Sequence, residues 1–172
     1  NPAVQLDFGA IAEGLAAEAI LEVLARHGIR HALVSLGGDV VALGDGNGRP
    51  WRVGLQDPFV GVLGSVPLGD GEALFTSGNY NKFRESPTGA RWGHVLDPRT
   101  GRPARGAAAV VVLHRDPVRA DAGATALFVA GPSGFERTTR RLGLGCVLMV
   151  TEENEMLVTA AMKARVDLLR NP

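Results

Sequence analysis

Residues 31–43 read HALVSLGGDVVAL, and the way this stretch breaks decides the class of fold. "HALVSL" (31–36) has the composition of a β-strand and "VVAL" (40–43) that of a second. Gly37-Gly38 interrupts them. Two strands this close form a strand pair, not a βαβ unit.

Outward from this pair the elements stay mixed. Residues 10–27 set Ile11, Leu15, Ala19, Ile20, Val23 and Leu24 at helical spacing, with Gly28 as a C-terminal stop. Asp45-Gly46-Asn47-Gly48 is a hairpin signal leading into "WRVGLQ" (51–56). "GEALFTS" (71–77) reads as a strand ending at Gly78-Asn79, and "AAAVVVL" (107–113) as a strongly β-branched strand. Helices are predicted over 119–130 and 133–142, and strands at 146–151 and 155–159 close the chain. Strand pairs alternating with helices predict an α+β layered fold. With no internal repeat and no linker, residues 1–172 are expected to form a single domain.

The 172 residues are 45% hydrophobic and 21% charged, the composition of one ordinary globular domain. Lys+Arg and Asp+Glu each number 18, and this balance argues against nucleic acid or an anionic membrane surface as the main partner. Arg119, Arg137, Arg140 and Arg141 are too dispersed to reverse that and read as a solvated face. Cys146 is the only cysteine, which excludes an intramolecular disulfide and a cysteine-based metal site. Its setting in "LGCVLMV" predicts a buried thiol. No apolar run approaches the roughly 20 residues of a membrane helix, and no signal peptide is recognisable. The start at Asn1-Pro2 reads as a cut from something longer.

Five segments carry polar side chains among glycine or alanine, which lets a ligand approach the backbone. They are "DFGAIAEG" (7–14), "SLGGDV" (35–40), "LFTSGNY" (74–80), "GHVLDPRTG" (93–101) and "DAGATALFVAG" (121–131). The first runs into a helix, so its backbone N–H groups either face an anion such as phosphate or are capped by its Asp. Asp121 and Thr125 are spaced i, i+4 near a helix start and share a face. A carboxylate and a hydroxyl there suit Mg²⁺, although a first-turn Asp and a filler Thr explain them equally. Asp39 fits a turn as well as a ligand. His94 is either a general base or a hydrogen-bonded loop residue.

As an ordered set the five segments resemble the ApbE family of FAD:protein FMN transferases, whose members show DLGGIAKG, NLGGD, STSGDY, GHILDPRTG and DALSTALFVLG-like stretches. The resemblance covers nearly the whole chain but only the C-terminal part of the family's usual length. It implies a T-fold-like α/β structure that binds FAD in a cleft and uses Mg²⁺ to split its pyrophosphate. FMN then passes to a Thr or Ser hydroxyl of a target flavoprotein.

By the same resemblance His94 is the general base, and the turn of Asp97, Pro98 and Gly101 presents it. Asp7, Glu13, Ser77, Gly78, His94 and Val95 contact FAD. The Ala10 carbonyl, Asp121 and Thr125 bind Mg²⁺. Glu13 stands where the family usually carries Lys, so a phosphate contact is expected to give way to a hydrogen bond to ribose or adenine. Ser35 replaces a common Asn. The family suggests the outer face of the cytoplasmic membrane or the periplasm, with any membrane contact made through a missing N-terminal anchor or the target. Two alternatives accompany the transferase: a non-enzymatic FAD-binding module, and an Mg²⁺-dependent FAD pyrophosphatase.

Overall fold

The run Ala107–His114 forms the strand at the centre of the molecule, and both of its faces are buried. A computed structural model of the chain describes residues 3–79, 83–85 and 91–169. In chain order the elements are α1 (Ala12–Arg26), β1 (Ala32–Leu36), β2 (Asp39–Leu43), β3 (Trp51–Gln56), β4 (Val62–Leu68) and β5 (Ala73–Gly78). Four short strands follow: β6 (Phe83–Glu85), β7 (Arg91–Gly93), β8 (Leu96–Asp97) and β9 (Arg102–Pro103). The remainder comprises β10 (Ala107–His114), α2 (Pro117–Leu142), β11 (Cys146–Thr151), β12 (Met156–Val158), α3 (Ala160–Lys163) and β13 (Asp167–Leu168).

Six strands make one sheet in the order β1-β2-β5-β10-β11-β12, and three make a second in the order β13-β4-β3. Every pair of neighbours in the large sheet is antiparallel. Alternation along β10 sends Val110 and Val112 toward the helices, with Phe75, Val147 and Met149 beside them and Ala124, Leu127 and Phe128 of α2 opposite. Val111 and Leu113 face the other way, with Leu74, Leu148 and Val150, against Leu63, Val66 and Leu68 of β4 and Met162 of α3. The result is three layers: helices, the large sheet, and the small sheet. This is the α+β layering expected from the sequence.

The last long helical region confirms the break at its middle. Gly131 has φ 64° and ψ −174° inside α2, and Pro132 follows it. A left-handed glycine before proline ends one helical run and starts another. The first run begins earlier than predicted. Asp116 caps it by accepting from Arg119 N at 2.9 Å, and Pro117 occupies the first helical position. Asp121 therefore lies in the second turn and is not the cap.

The hairpin expectation at residues 45–48 is overturned in part. The turn is there, with Asn47 at φ 59°, Gly48 at φ 78° and Gly46 N donating to Arg49 O at 2.8 Å. The strands it joins do not pair with each other. β2 has β1 and β5 as neighbours, whereas β3 pairs with β4. The turn is a crossing between sheets, bridged by Trp51 Nε1 donating to the Leu43 carbonyl at 3.3 Å. Among the described residues no helix is long and apolar enough to cross a membrane.

Candidate active site

The helix layer meets the large sheet at a cleft of about 270 Å³. Its acidic wall comes from Glu13 in the first turn of α1, Asp39 at the start of β2 and Asp121 on α2. The end of β5 adds Thr76, Ser77 and Gly78, and the segment after β7 adds His94 and Val95. Leu55, Leu74 and Val111 make the apolar part. Among the described residues no lysine or arginine lines it.

Asp121 is 7% exposed, and its Oδ2 accepts from Gly14 N at 2.9 Å. The backbone N–H of Glu13 also donates to it. The anion at the start of α1 is thus supplied by the protein. Of the two readings of "DFGAIAEG", neither holds as stated: those N–H groups face Asp121, not a free phosphate, and Asp7 caps nothing in α1. Residue Ile11 occupies the cap position without a side-chain bond, and Asp7 Oδ1 instead accepts from Gly9 N at 2.7 Å. The two helices approach so closely that a β-carbon at Gly14 would lie 2.7 Å from the Pro117 carbonyl oxygen. Burial holds the Asp121 carboxyl above the usual carboxylate range, as does the nearby Glu13, against the pull of the two backbone donors.

Asp39 carries the larger perturbation. It is 7% exposed, its Oδ1 accepts from Thr76 N at 2.6 Å, and its carboxyl hydrogen-bonds that of Glu13. Where two carboxyl groups meet, a proton on Asp39 is favoured. Burial and Glu13 together push the Asp39 pKa from 3.8 to about 8. Glu13 thus faces a carboxyl partner in the free protein.

Thr125 Oγ1 and Ser77 Oγ lie 3.0 Å apart, joining α2 to the end of β5. Ala10 is half-buried in the turn that precedes α1, where Ile11 N and Ala12 N both donate to the Phe8 carbonyl. Among the described residues no three His, Cys, Asp or Glu side chains are arranged to hold a metal ion. Asp121 and Thr125 line the cleft and Ala10 does not; a carboxylate with a hydroxyl suits a hard cation that keeps water and phosphate ligands.

His94 is exposed at the rim of the cleft. Beyond it β8 and β9 form a two-stranded ribbon whose turn is fixed by Asp97. The Asp97 carbonyl accepts from Gly101 N at 2.8 Å, and its carboxylate accepts from Arg99 N, Nε and Nη2. Hydrogen bonds from Arg99 hold the Asp97 carboxyl below its usual range. The Val95 carbonyl accepts from Ala104 N at 2.9 Å, which ties the segment carrying His94 to the ribbon.

Of the residues expected to touch FAD, Glu13, Ser77, Gly78, His94 and Val95 line this one cleft. Asp7 is exposed and turned onto Gly9, which lines the cleft in its place. Tyr80, the last residue of "LFTSGNY", lies outside the described residues, as do Asn1 and Pro2. The part of Asp39 in the acidic wall was open in the sequence; its position after Gly37-Gly38, with Gly38 at φ 116°, was the available signal.

Solved structures that share this architecture include ApbE proteins. The apo flavinyl transferase ApbE of Pseudomonas stutzeri is 33% identical, with a TM-score of 0.77 over 94% of this chain and 51% of that one. The ApbE protein of Thermotoga maritima is 30% identical, with a TM-score of 0.87 over 95% of this chain and 54% of that one. The ApbE family model matches residues 1–148, and the chain belongs to that family. Among curated relatives, the FAD:protein FMN transferase of Rhodobacter capsulatus is 46% identical over 168 residues, covering 97% of this chain. That of Escherichia coli K12 is 36% identical over 162 residues, covering 92%. The chain spans 32% of the first relative's length and 46% of the second's.

Proposed function

We propose that this chain carries the catalytic cleft of an Mg²⁺-dependent transferase that moves FMN from FAD to a Thr or Ser hydroxyl of a target protein. The observation that carries this reading is the convergence of Asp121, Thr125, Ser77 and His94 on one acidic cleft, in a family whose relatives bear the name FAD:protein FMN transferase. The donor set fits the cation. Asp121 is a buried carboxylate whose ionised form is disfavoured where it stands, and a divalent ion relieves that cost. Thr125 one turn on and the Ala10 carbonyl supply neutral oxygens of the type Mg²⁺ prefers. When bound, the cation supplies positive charge to the pyrophosphate oxygens as negative charge develops there.

The chain's own residues would do the rest. Gly9, Gly37 and Gly78 leave room for the dinucleotide against the backbone, and Leu55, Leu74 and Val111 give the cleft an apolar floor. Val95, which lines the cleft beside His94, would contact the flavin. His94, at the rim, takes the proton of the incoming hydroxyl, which attacks phosphorus poorly while protonated. The hydroxyl oxygen bonds to the FMN phosphorus, the pyrophosphate P–O bond breaks, and AMP leaves.

The test is FAD titration of the full-length protein with and without Mg²⁺, in the presence of a peptide carrying one threonine, with phosphorus-detected product analysis. The expected products are an FMN–peptide phosphoester and AMP. Free FMN and AMP with an unmodified peptide would make the protein a pyrophosphatase. FAD bound without turnover would make it a binding module.

A further inference from the structure

Asn79 follows β5 directly, and its backbone N–H donates to the Ala108 carbonyl at 3.3 Å, which keeps it in line with β10. Its side chain lies against Gly93, the last residue of β7 and the chain neighbour of His94. A β-carbon built on Gly93 would fall 1.9 Å from Asn79 Cγ, 2.0 Å from Oδ1 and 2.1 Å from Nδ2. No side chain fits there. Gly93 is not among the glycines with positive φ, so space and not backbone conformation demands glycine. The three distances differ by little, which means that the amide presents its flat face to the Gly93 α-carbon.

Asn79 Oδ1 is buried and has no hydrogen-bond partner among the described residues. That oxygen accepts no hydrogen bond there, and the amide rests against Gly93. An apolar side chain of the same size would avoid the cost of an unpaired buried oxygen. It would also be thicker, because Leu and Val branch out of plane where an amide is planar.

Resting on the transferase reading above, we propose that Asn79 is a positioning residue: its planar amide, wedged against Gly93, sets where His94 stands over the cleft. The side chain acts through the backbone that bears His94 and not on the substrate. A general base displaced by about 1 Å loses on the order of 10²-fold in rate, so a small change of thickness at residue 79 is enough to be read.

The experiment uses the full-length protein and compares Asn79→Ala, Asn79→Leu, Asn79→Asp, Gly93→Ala and the double variant Asn79→Ala/Gly93→Ala. FMN transfer, FAD affinity and thermal melting are measured on each. Asn79→Ala and Asn79→Leu should lower kcat for transfer about 10- to 100-fold with the FAD Kd within about twofold. Asn79→Asp, flat and of equal size, should restore kcat to within a few-fold. Gly93→Ala, which drives the amide out, should cost about as much as Asn79→Ala. The double variant should be little worse than either single one, because both act through one contact.

A folded Asn79→Ala protein with a normal kcat overturns the proposal, whatever its melting temperature. So does a loss in FAD affinity that matches the loss in kcat, which would make Asn79 a ligand contact. An unsubstituted protein that binds FAD and transfers nothing refutes the transferase reading itself.

Discussion

The carboxylate of Asp121 accepts from the backbone of Gly14 at 2.9 Å, across 107 positions of sequence. One oxygen of a proposed metal ligand thereby closes the first turn of another helix. Stability and cation binding are joined at this side chain.

Asp121→Asn keeps an acceptor for Gly14 N and removes the charge. Melting without metal should stay the same or rise, because burial already disfavours the ionised form. Calorimetric Mg²⁺ binding and FAD turnover should both be lost. Asp121→Ala also removes the acceptor and should cost about 1–2 kcal/mol more, the usual loss for a helix cap. Unchanged Mg²⁺ affinity in the Asn variant would remove Asp121 from the ligand set.

Asp39 predicts a pH dependence with a definite sign. Its folded pKa is raised from 3.8 to about 8, so across that window the folded chain holds a proton that the unfolded chain has released. Stability contributed here therefore falls as pH rises from about 4 to about 8, then levels off. Asp39→Asn keeps an acceptor for Thr76 N and removes the titration. Denaturant midpoints for the variant should exceed those of the parent most at pH 8 and least near pH 4. Parallel curves would show that Asp39 does not hold that proton.

Glu13→Lys replaces one member of the carboxyl pair with a cation. The new ammonium should ion-pair with Asp39 and return its carboxyl toward the ordinary range. FAD binding should tighten, and the gain should shrink with added salt as the phosphate contact is screened. A weaker complex would instead mean that the Glu13 carboxylate accepts a hydrogen bond from the ligand.

His94 is exposed, so His94→Gly should leave the melting temperature nearly unchanged. Transfer should fall by about 10²–10⁴, the range of a general base, while FAD and Mg²⁺ still bind. Normal transfer by a folded, FAD-loaded variant would leave His94 a loop residue.

What the sequence made legible was local. The break at Gly37-Gly38, the helix from Ala12 and the i, i+4 pair of Asp121 and Thr125 follow from spacing within a few residues. β4 was not legible, because Gly64 and Pro67 read as breakers. The reason for Gly64 is non-local: a β-carbon there would lie 2.4 Å from the Asp167 carbonyl oxygen in β13. The same limit hid the acidic wall. Glu13 and Asp39 meet only after α1 docks beside the start of β2, and Asp121 reaches Gly14 only because the first turns of two helices touch. The ordered segments pointed to the family, which the family model and the solved structures bear out. Asp7, whose carboxylate accepts from Gly9 N, is not among the residues that line the cleft.

The strand β10 is apolar on both sides, and this has a cost in folding fidelity. Where one face of a strand is polar, a slip of one residue exposes apolar groups and is rejected by water. Here a slip would exchange Val110 and Val112 for Val111 and Leu113, with little change in burial. Only side-chain volume and the irregularity between Ala107 and Ala109 in the pairing with β11 distinguish the two. In the native alignment Ser77 lies opposite Val110, which turns its hydroxyl toward Thr125. A chain with β10 trapped one residue out of step would be compact and well buried, yet β5 would meet the wrong neighbours at the end that carries Ser77. Such a species would pass as folded in any measurement of compactness and be blind to its ligands.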